Sequence, residues 1–243
     1  GLALMLLYAY TSRLSAQTGS RTEKLEQELT EATEDSVRIR KYNALAFIYL
    51  QSNPAKTLEY SQEVVQRTAA LETGRLLPGI TNSSRAYGFY HLGWYHLNRG
   101  ELPPALDHIL KALHWFERDS NTNRIALCYN SLGSIFKQQE KNRESEFYFK
   151  EALRILEGQP PGDFKAVINL NYGGLLVETE RFTEGWDLFQ ETKTIYEKKN
   201  QKTGWGTLYN NLGVCAKGMN RLEEAEMYFN KALDIYEAEN NPT

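Results

Sequence analysis

Four histidines could supply metal or acid–base chemistry, but their spacing does not suit it. They are His91, His96, His108 and His114. No two of them are four residues apart, the spacing that puts two imidazoles on one face of a helix, and no glutamate completes a metal-protease motif. His91 and His96 are five residues apart, so a helix would turn the two rings away from each other. The sequence therefore predicts neither a metal site nor a cofactor.

Other catalytic signals are equally poor. Gly204-Trp205-Gly206 lacks the following Lys-Ser/Thr and the preceding strand of a phosphate-binding loop. No serine, cysteine or carboxylate falls into a recognisable triad context. The two cysteines, Cys128 and Cys215, are far apart in a repeated chain, so we expect two free, buried thiols. The chain is not expected to be an enzyme.

Asparagine side chains occur at spacings that suit binding of a peptide backbone. Asn130 and Asn210 stand at the same position of two repeat units, and Asn171 and Asn211 stand one residue beyond matching positions. An asparagine amide offers both a donor and an acceptor, so it can pair with an extended peptide without reading its sequence. The alternative is that these amides are solvated or bond to neighbouring helices. Either interpretation requires helices that place them on one face.

A 40-residue internal repeat provides such helices. Glycine recurs at Gly93, Gly133, Gly173 and Gly213. Each glycine is followed by a small residue after 12 positions, a large apolar residue after 16 and an Ala or Thr after 19. These three columns contain Ala105, Ser145, Gly185 and Ala225; Ile109, Phe149, Phe189 and Phe229; and Ala112, Ala152, Thr192 and Ala232. So many columns at one period indicate a repeat architecture.

Each repeat predicts two helices. Apolar residues recur at intervals of three and four, polar or helix-breaking stretches separate the two segments, and the alternation typical of strands is absent. A glycine inside a helix costs about 1 kcal/mol relative to alanine. Its return at one column therefore indicates that two helices approach closely there, and we expect Ala105 and its equivalents to fill the facing position. The predicted fold class is all-α, a solenoid of antiparallel helix pairs.

The predicted array covers residues 36–243 in about five helix pairs. Four regular units span 81–122, 123–162, 163–202 and 203–243. A divergent first unit spans 36–80, where Ala46 replaces the glycine and Asn53-Pro54 opens the second helix. About seven extra residues are expected within Glu72–Asn82.

The amino-terminal segment has a different character. Residues 19–35 predict one amphipathic helix, with Ser20 or Thr22 as its cap. Residues 2–10 form an apolar run that is too short to span a bilayer as a helix. Together with Ser15-Ala16-Gln17 the run fits a truncated secretory signal peptide over residues 1–18, and a first helix packed on the core is the alternative. We therefore expect an exported or periplasmic protein, with a cytoplasmic one as the alternative.

The repeat columns resemble the tetratricopeptide repeat. The resemblance is carried most clearly by Tyr209, Leu212-Gly213, Ala225, Phe229 and Ala232, and it covers residues 36–240. It implies a right-handed superhelix whose first helices line a concave, peptide-binding face. The period is longer than the roughly 34 residues usual in the family, which implies longer helices and loops.

The resemblance implies where a partner would bind. The predicted groove combines asparagines, aromatic anchors and two lysines: Asn43, Phe47, Tyr87, Tyr90, Trp94, Asn130, Lys137, Asn171, Asn210, Asn211 and Lys217. The aromatic residues could instead form the core between repeats. A carboxylate clamp like that of the chaperone-binding members needs several Lys and Arg on this face. Lys137 and Lys217 alone are too few, so no such clamp is predicted.

Charge and a narrower resemblance bear on partners and function. The net charge of −3 disfavours nucleic acid, whose binding needs a basic excess.

The signal-like start and the segments 24–29 and 53–60 resemble the amino-terminal sensor regions of Bacteroidetes membrane proteins. This implies an exported scaffold that binds a protein or peptide, with a membrane helix and a kinase, cyclase or DNA-binding module downstream. The alternatives are a fragment of an enzyme that contains such repeats, a cytoplasmic peptide-responsive regulator and an architectural assembly protein.

Overall fold

The chain folds into helices only, wherever the structure describes it. The computed structural model describes residues 15–69, 82–201 and 203–240. The helices within these ranges are α1 (Ser15–Glu31), α2 (Asp35–Ser52), α3 (Pro54–Thr68), α4 (Asn82–Asn98), α5 (Leu102–Arg118), α6 (Thr122–Gln138), α7 (Asn142–Ile155), α8 (Asp163–Glu178), α9 (Phe182–Lys198), α10 (Trp205–Gly218) and α11 (Leu222–Asn240). The predicted all-α fold class is confirmed.

Helices α2 to α11 form five successive antiparallel pairs. In each pair the even-numbered helix, here called the first helix, packs along the helix that follows it. The first helices also contact one another, α2 with α4, α4 with α6 and α6 with α8, while α1 packs on α2. The result is a solenoid in which the first helices form one continuous face.

The four repeat glycines lie in one kind of environment. A Cβ atom added at any of them would lie 2.5–2.7 Å from the large apolar side chain of the same repeat. The pairs are Gly93 with Ile109, Gly133 with Phe149, Gly173 with Phe189 and Gly213 with Phe229. Atoms that close would overlap, so the contact between the two helices of each pair requires a residue without a side chain. The steric interpretation of the repeat is confirmed.

The small residue 12 positions after the glycine also lies against the first helix, as expected. Its contact is with the glycine carbonyl: Ser145 Oγ donates to Gly133 O at 2.8 Å. A Cβ atom at Gly185 would lie 3.3 Å from Gly173 O. The residues in this column are small because the backbone of the first helix packs directly against them.

The amino-terminal helices agree with the sequence in part. Helix α3 begins at Pro54, and Asn53 accepts a hydrogen bond from Lys56 N at 3.2 Å, as a capping residue does. Helix α1 begins at Ser15, and Thr22 is a buried residue inside it, so the predicted cap at Ser20 or Thr22 is wrong. The apolar run 2–10 and nearly all of the extra residues predicted within Glu72–Asn82 lie outside the described residues.

Left-handed residues end most helices of the array and recur at a regular spacing. Their φ angles lie between 49° and 72°. They are Gly100, Ser120, Glu140, Glu180, Asn200 and Asn220. After α6, for example, Glu140 N bonds to Lys137 O at 3.0 Å and Lys141 N bonds to Phe136 O at 3.0 Å, which satisfies carbonyls that the helix end leaves open. The chain reverses tightly at each of these points.

Replacing Glu140 by glycine is expected to stabilise the protein by up to about 1 kcal/mol. A side chain in the left-handed conformation costs roughly 1–2 kcal/mol, which exceeds the roughly 0.5–1 kcal/mol of extra backbone entropy that glycine loses on folding. Glu140 is exposed. The matched control is Glu59→Gly, at an exposed position inside α3, which should destabilise by roughly 0.5–1 kcal/mol. Urea unfolding measures both, and a loss of stability with Glu140→Gly would contradict the expectation.

Candidate functional site

A cavity of about 450 Å³ opens on the face formed by the first helices. Among the described residues, its walls come from four consecutive first helices and from no second helix. The lining residues are Asn43, Ala44, Phe47 and Leu50 of α2; Tyr87, Tyr90, His91 and Trp94 of α4; Arg124, Leu127 and Asn130 of α6; and Asp163, Phe164 and Val167 of α8. The cavity is therefore a product of the stacking of repeats.

Aromatic rings form most of one wall. Tyr90 and Trp94 are buried, and Trp94 Nε1 donates to Tyr90 Oη at 2.9 Å. Burial raises the pKa of Tyr90 to about 12, so its hydroxyl stays neutral. Phe47, on the neighbouring first helix, is 51% exposed. An exposed large aromatic ring at the edge of an apolar cavity is a contact that a partner can cover.

His91 lies inside this aromatic wall. Its ring centroid is 6.2 Å from those of Phe47, Tyr87 and Tyr90. Burial, and secondarily the positive charge of Arg124, lower the pKa of His91 to about 3. Its Nδ1 atom is buried and has no hydrogen-bond partner among the residues that the structure describes. The imidazole is therefore neutral near pH 7 and belongs to the wall rather than to an acid–base pair.

We expect His91 to make the protein acid-sensitive. Its pKa falls from 6.5 to about 3 on folding, so the unfolded chain binds the proton more readily and stability is lost as the pH falls from about 6.5 towards 3. The variant His91→Leu should lose stability less steeply over this range. Urea midpoints between pH 7 and pH 5 measure the slope, above the window in which Glu146, whose pKa is lowered to about 2 chiefly by Arg181, contributes. Equal slopes for both proteins would contradict this assignment.

Two asparagines place amide groups at the cavity. Asn130 is 2% exposed, and its Oδ1 accepts a hydrogen bond from Asn171 Nδ2 of the next repeat at 3.0 Å. Asn43 Nδ2 donates to Ser84 O at 2.8 Å, while its Oδ1 is buried and has no partner within the described ranges. Because Asn171 holds the carbonyl end of Asn130, the amide nitrogen of Asn130 is the end left to a ligand.

Two charged residues line the cavity, and they differ in their partners. Asp163 pairs with Lys199, with Nζ and Oδ1 2.7 Å apart. The Arg124 guanidinium lies between two rings, 4.9 Å from the centroid of Tyr87 and 5.4 Å from that of Phe164. Within the described parts of the chain, no carboxylate forms an ion pair with Arg124. The cavity thus carries a positive charge that no ion pair among the described residues neutralises.

The structure places the predicted groove residues in two groups. The cavity brings together Asn43, Phe47, Tyr87, Tyr90, Trp94 and Asn130. The remaining five do not line it: Lys137, Asn171, Asn210, Asn211 and Lys217. Lys137 pairs with Glu178 at 2.8 Å, and Asn171 makes the bond between helices that was the alternative interpretation. Asn211 is buried, Asn210 is half-buried and Lys217 is exposed.

The carboxyl-proximal wall of the cavity was not predicted from the sequence. Tyr90 and Asn130 stand three positions before the repeat glycine, and residues six and nine positions before it also line the cavity. The missed residues in those columns are Leu127 and Val167, then Arg124 and Phe164, with Asp163 adjacent. Extending the predicted row by one helical turn towards the start of each first helix would have found Leu127 and Val167, but not Arg124 and Phe164.

Neither a metal cluster nor a membrane-spanning helix is found in the described ranges. In residues 15–69, 82–201 and 203–240, no group of three or more His, Cys, Asp or Glu side chains is placed to hold a metal ion. None of the helices in these ranges combines the length and the apolar character that crossing a membrane requires. Cys128 and Cys215 are free and buried, as expected, and burial raises the pKa of both thiols.

The fold and the repeat together define a solenoid of the tetratricopeptide-repeat type. Sequence models of the tetratricopeptide repeat match residues 126–155 and 164–238. The chain therefore contains tetratricopeptide repeats over these segments. They include most of α6 and α8, with Leu127, Asn130, Phe164 and Val167 of the cavity lining, whereas Arg124 and Asp163 lie just before the matched segments.

The chain is similar to proteins of several kinds. Protein KINESIN LIGHT CHAIN-RELATED 2 of Arabidopsis thaliana is 30% identical over 155 residues, which make up 61% of this chain and 23% of that protein. BtubC (BKLC) from P. vanneervenii superposes with a TM-score of 0.68 at 19% identity, over 95% of this chain and 94% of that one. Aspartyl phosphate phosphatase F from Bacillus subtilis also superposes with a TM-score of 0.68, at 10% identity, over 99% of this chain and 75% of that one. At these identities the structural likeness shows the fold alone.

Proposed function

We propose that this chain is a binding scaffold that holds an extended peptide, or an extended segment of a partner protein, on the face of its first helices. The observation that carries the proposal is the aromatic cavity of about 450 Å³ built by α2, α4, α6 and α8. Ligand sites are typically concave, mostly apolar and equipped with a few polar groups, and this cavity has all three properties. A large apolar side chain of the partner would occupy it while the partner backbone follows the groove.

Panning of a random peptide library on the immobilised protein tests the proposal. Enriched peptides should bind the Phe47→Ala variant about tenfold more weakly, because a central aromatic anchor commonly contributes more than about 1 kcal/mol. Phe47 is 51% exposed, so its replacement should leave the fold intact. The matched control is Phe147→Ala, since Phe147 is 56% exposed and lies on α7, outside the cavity. Peptides that bind all three proteins equally would refute the cavity as the site.

Separate variants on α10 test whether the bound peptide also contacts the carboxyl-terminal end of the groove. Asn210→Ala and Asn211→Ala remove amides on α10, which lies beyond the four helices of the cavity. If the bound peptide extends along the whole face, each change should weaken binding. Affinity unaffected by both would confine the peptide to the cavity region and remove these two residues from the proposed site.

We propose further that the scaffold is the sensor segment of a larger exported signalling protein. The signal-like residues 1–18 and the resemblance of segments 24–29 and 53–60 support this role. Cell fractionation together with amino-terminal sequencing of the mature protein tests it, with a processed periplasmic chain as the expected result. An unprocessed cytosolic chain would favour the alternative, a cytoplasmic peptide-responsive regulator.

A further inference from the structure

We propose that a second cavity binds a phosphate monoester, and that His114 and Arg118 of α5 are the donors that hold it. This outer cavity has a volume of about 790 Å³ and lies between α3, α4 and α5, with side chains of the segment 107–118 forming most of its described lining. The site is separate from the proposed peptide groove, and peptide binding does not depend on it.

The outer cavity lies on the other side of α4 from the cavity of the first helices. Arg85 and Phe89 of α4 line the outer cavity, whereas Tyr87 and Trp94 line the other one. The spacing of these residues puts the two pairs on opposite sides of the helix. The two cavities therefore share a helix but none of the described lining residues.

The described lining of the outer cavity carries a positive charge that no ion pair balances. Its one acidic residue, Asp107, pairs with Lys111, with Oδ2 and Nζ 2.8 Å apart. Arg118 is exposed, and it forms no ion pair with a carboxylate in the parts of the chain that the structure describes. The guanidinium of Arg118 is thus available to an anion that enters the cavity.

His114 and Arg118 are held at the same place in the cavity wall. They are four residues apart, so they are neighbours on one face of α5. Both also contact Trp115, which is 6% exposed: the His114 ring centroid lies 5.5 Å from that of the indole, and Arg118 Cζ lies 4.8 Å from it. A guanidinium that stacks on a ring keeps its N–H groups free at its edge. The imidazole and the guanidinium can therefore donate to one ligand.

This basic stripe is particular to α5 and does not follow from the repeat. Lys111, His114 and Arg118 stand in three columns of the 40-residue unit. On α7 the same columns contain an ion pair, in which Arg154 and Glu151 are 2.8 Å apart. Each of the other three regular repeats places an acidic residue in these columns, namely Glu151, Glu191 and Asp234. The solvated faces of those helices thus mix charges of both signs, whereas α5 has none but basic residues there.

A phosphate monoester fits this arrangement. It has three acceptor oxygens and about 1.5–2 negative charges near pH 7, so it can accept hydrogen bonds from an imidazole and a guanidinium together. Val65, Phe89 and Leu110 belong to the same lining and offer apolar contact to the group that bears the phosphate. The phosphate could belong to a small metabolite or to a modified side chain of a partner protein.

Paired probes test the site and distinguish these two sources. Glucose 6-phosphate represents a small metabolite and acetyl-phosphotyrosine-amide a modified side chain, and their matched controls are glucose and acetyl-tyrosine-amide. Titrations followed by ligand-observed NMR should show at least one phosphorylated probe binding the wild-type protein about tenfold more tightly than its parent. The phosphorylated probe that binds more tightly identifies the source. Acetyl-glutamate-amide, which carries a carboxylate instead, should bind more weakly than that probe.

Variants of exposed residues locate the interaction. Arg118→Gln should weaken binding of the phosphorylated probe about tenfold, and His114→Gln should weaken it by a smaller factor. Both residues are exposed, so their replacement should leave the fold intact, which circular dichroism verifies. The matched control is Arg154→Gln, because Arg154 is an exposed arginine of α7 that does not line the outer cavity. It should keep the full affinity. If Arg118→Gln does not fold, the wild-type comparison of phosphorylated probe with parent remains decisive.

Four results would overturn the proposed site: equal affinity of the wild-type protein for the phosphorylated probes and their parents, equal affinity for acetyl-glutamate-amide, affinity that survives both Arg118→Gln and His114→Gln, or failure of both phosphorylated probes to bind. None of these results decides the proposed function, which the peptide library tests separately on the other side of α4.

Discussion

Replacing Phe149 by alanine is expected to lower the free energy of unfolding by about 3–5 kcal/mol, the range for removing a buried aromatic side chain from a core. Phe149 is fully buried. It covers Gly133 of the preceding helix, and its ring centroid lies 5.9 Å from that of Tyr172 of the next pair. It therefore connects three helices, and the truncated side chain leaves a space that neither rigid neighbour can enter. Urea unfolding followed by circular dichroism measures the loss.

The control for this prediction lies two residues away on the same helix. Phe147 is 56% exposed, so Phe147→Ala should change stability by no more than about 0.5 kcal/mol. The two substitutions remove the same atoms and have similar effects on helix propensity. Similar losses for both would mean that the repeat column of large apolar residues does not form the core of the array.

Adding a methyl group to Gly173 is expected to destabilise the protein by about 1–3 kcal/mol, whereas adding one to Gly174 should stabilise it by up to about 1 kcal/mol. A Cβ atom at Gly173 would lie 2.5 Å from Phe189, a fully buried ring that cannot withdraw. A Cβ atom at Gly174 would meet only the flexible end of Lys137, at 3.5 Å. At Gly174 the better helix propensity of alanine is then the main effect.

This pair of adjacent substitutions separates packing from propensity. Both Gly173→Ala and Gly174→Ala change glycine to alanine in α8, so the gain in helix propensity is nearly the same for each. Thermal or urea unfolding of the two variants should give changes of opposite sign. Changes of the same sign would show that the close approach of α8 to α9 is not what selects glycine at this column.

The fold could be predicted from the sequence because its determinant is steric and is repeated. Gly133 and Phe149 recur as one pair of columns, so the contact between paired helices appears directly as a period in the sequence. The amino-terminal cap was predicted wrongly because Ser20 and Thr22 also suit the interior of a helix when the chain before them is helical. A capping residue indicates a helix end only where the preceding residues cannot continue the helix.

The cavity could be predicted only in part. Tyr90, Trp94 and Asn130 stand in columns that the repeat itself defines, so their common face followed from helical geometry. Arg124 and Phe164 occupy a column whose other members, Ser84 and Gly204, share no chemistry with them. No periodic signal marks such a column. Its importance follows from the curvature that brings α2, α4, α6 and α8 around one space, and that curvature depends on the sum of all contacts between pairs.

Because four helix pairs supply the cavity walls, ligand binding affects the stability of all four pairs. Each helix pair of a solenoid is stabilised mainly by its immediate neighbours, so an array can loosen from either end. A ligand that contacts both α2 and α8 links four helix pairs. Its binding free energy therefore stabilises the folded form of all four pairs. Saturating ligand should therefore merge separate melting steps within residues 35–198 into one. In this way a molecule held at one spot would stiffen most of the length of the protein.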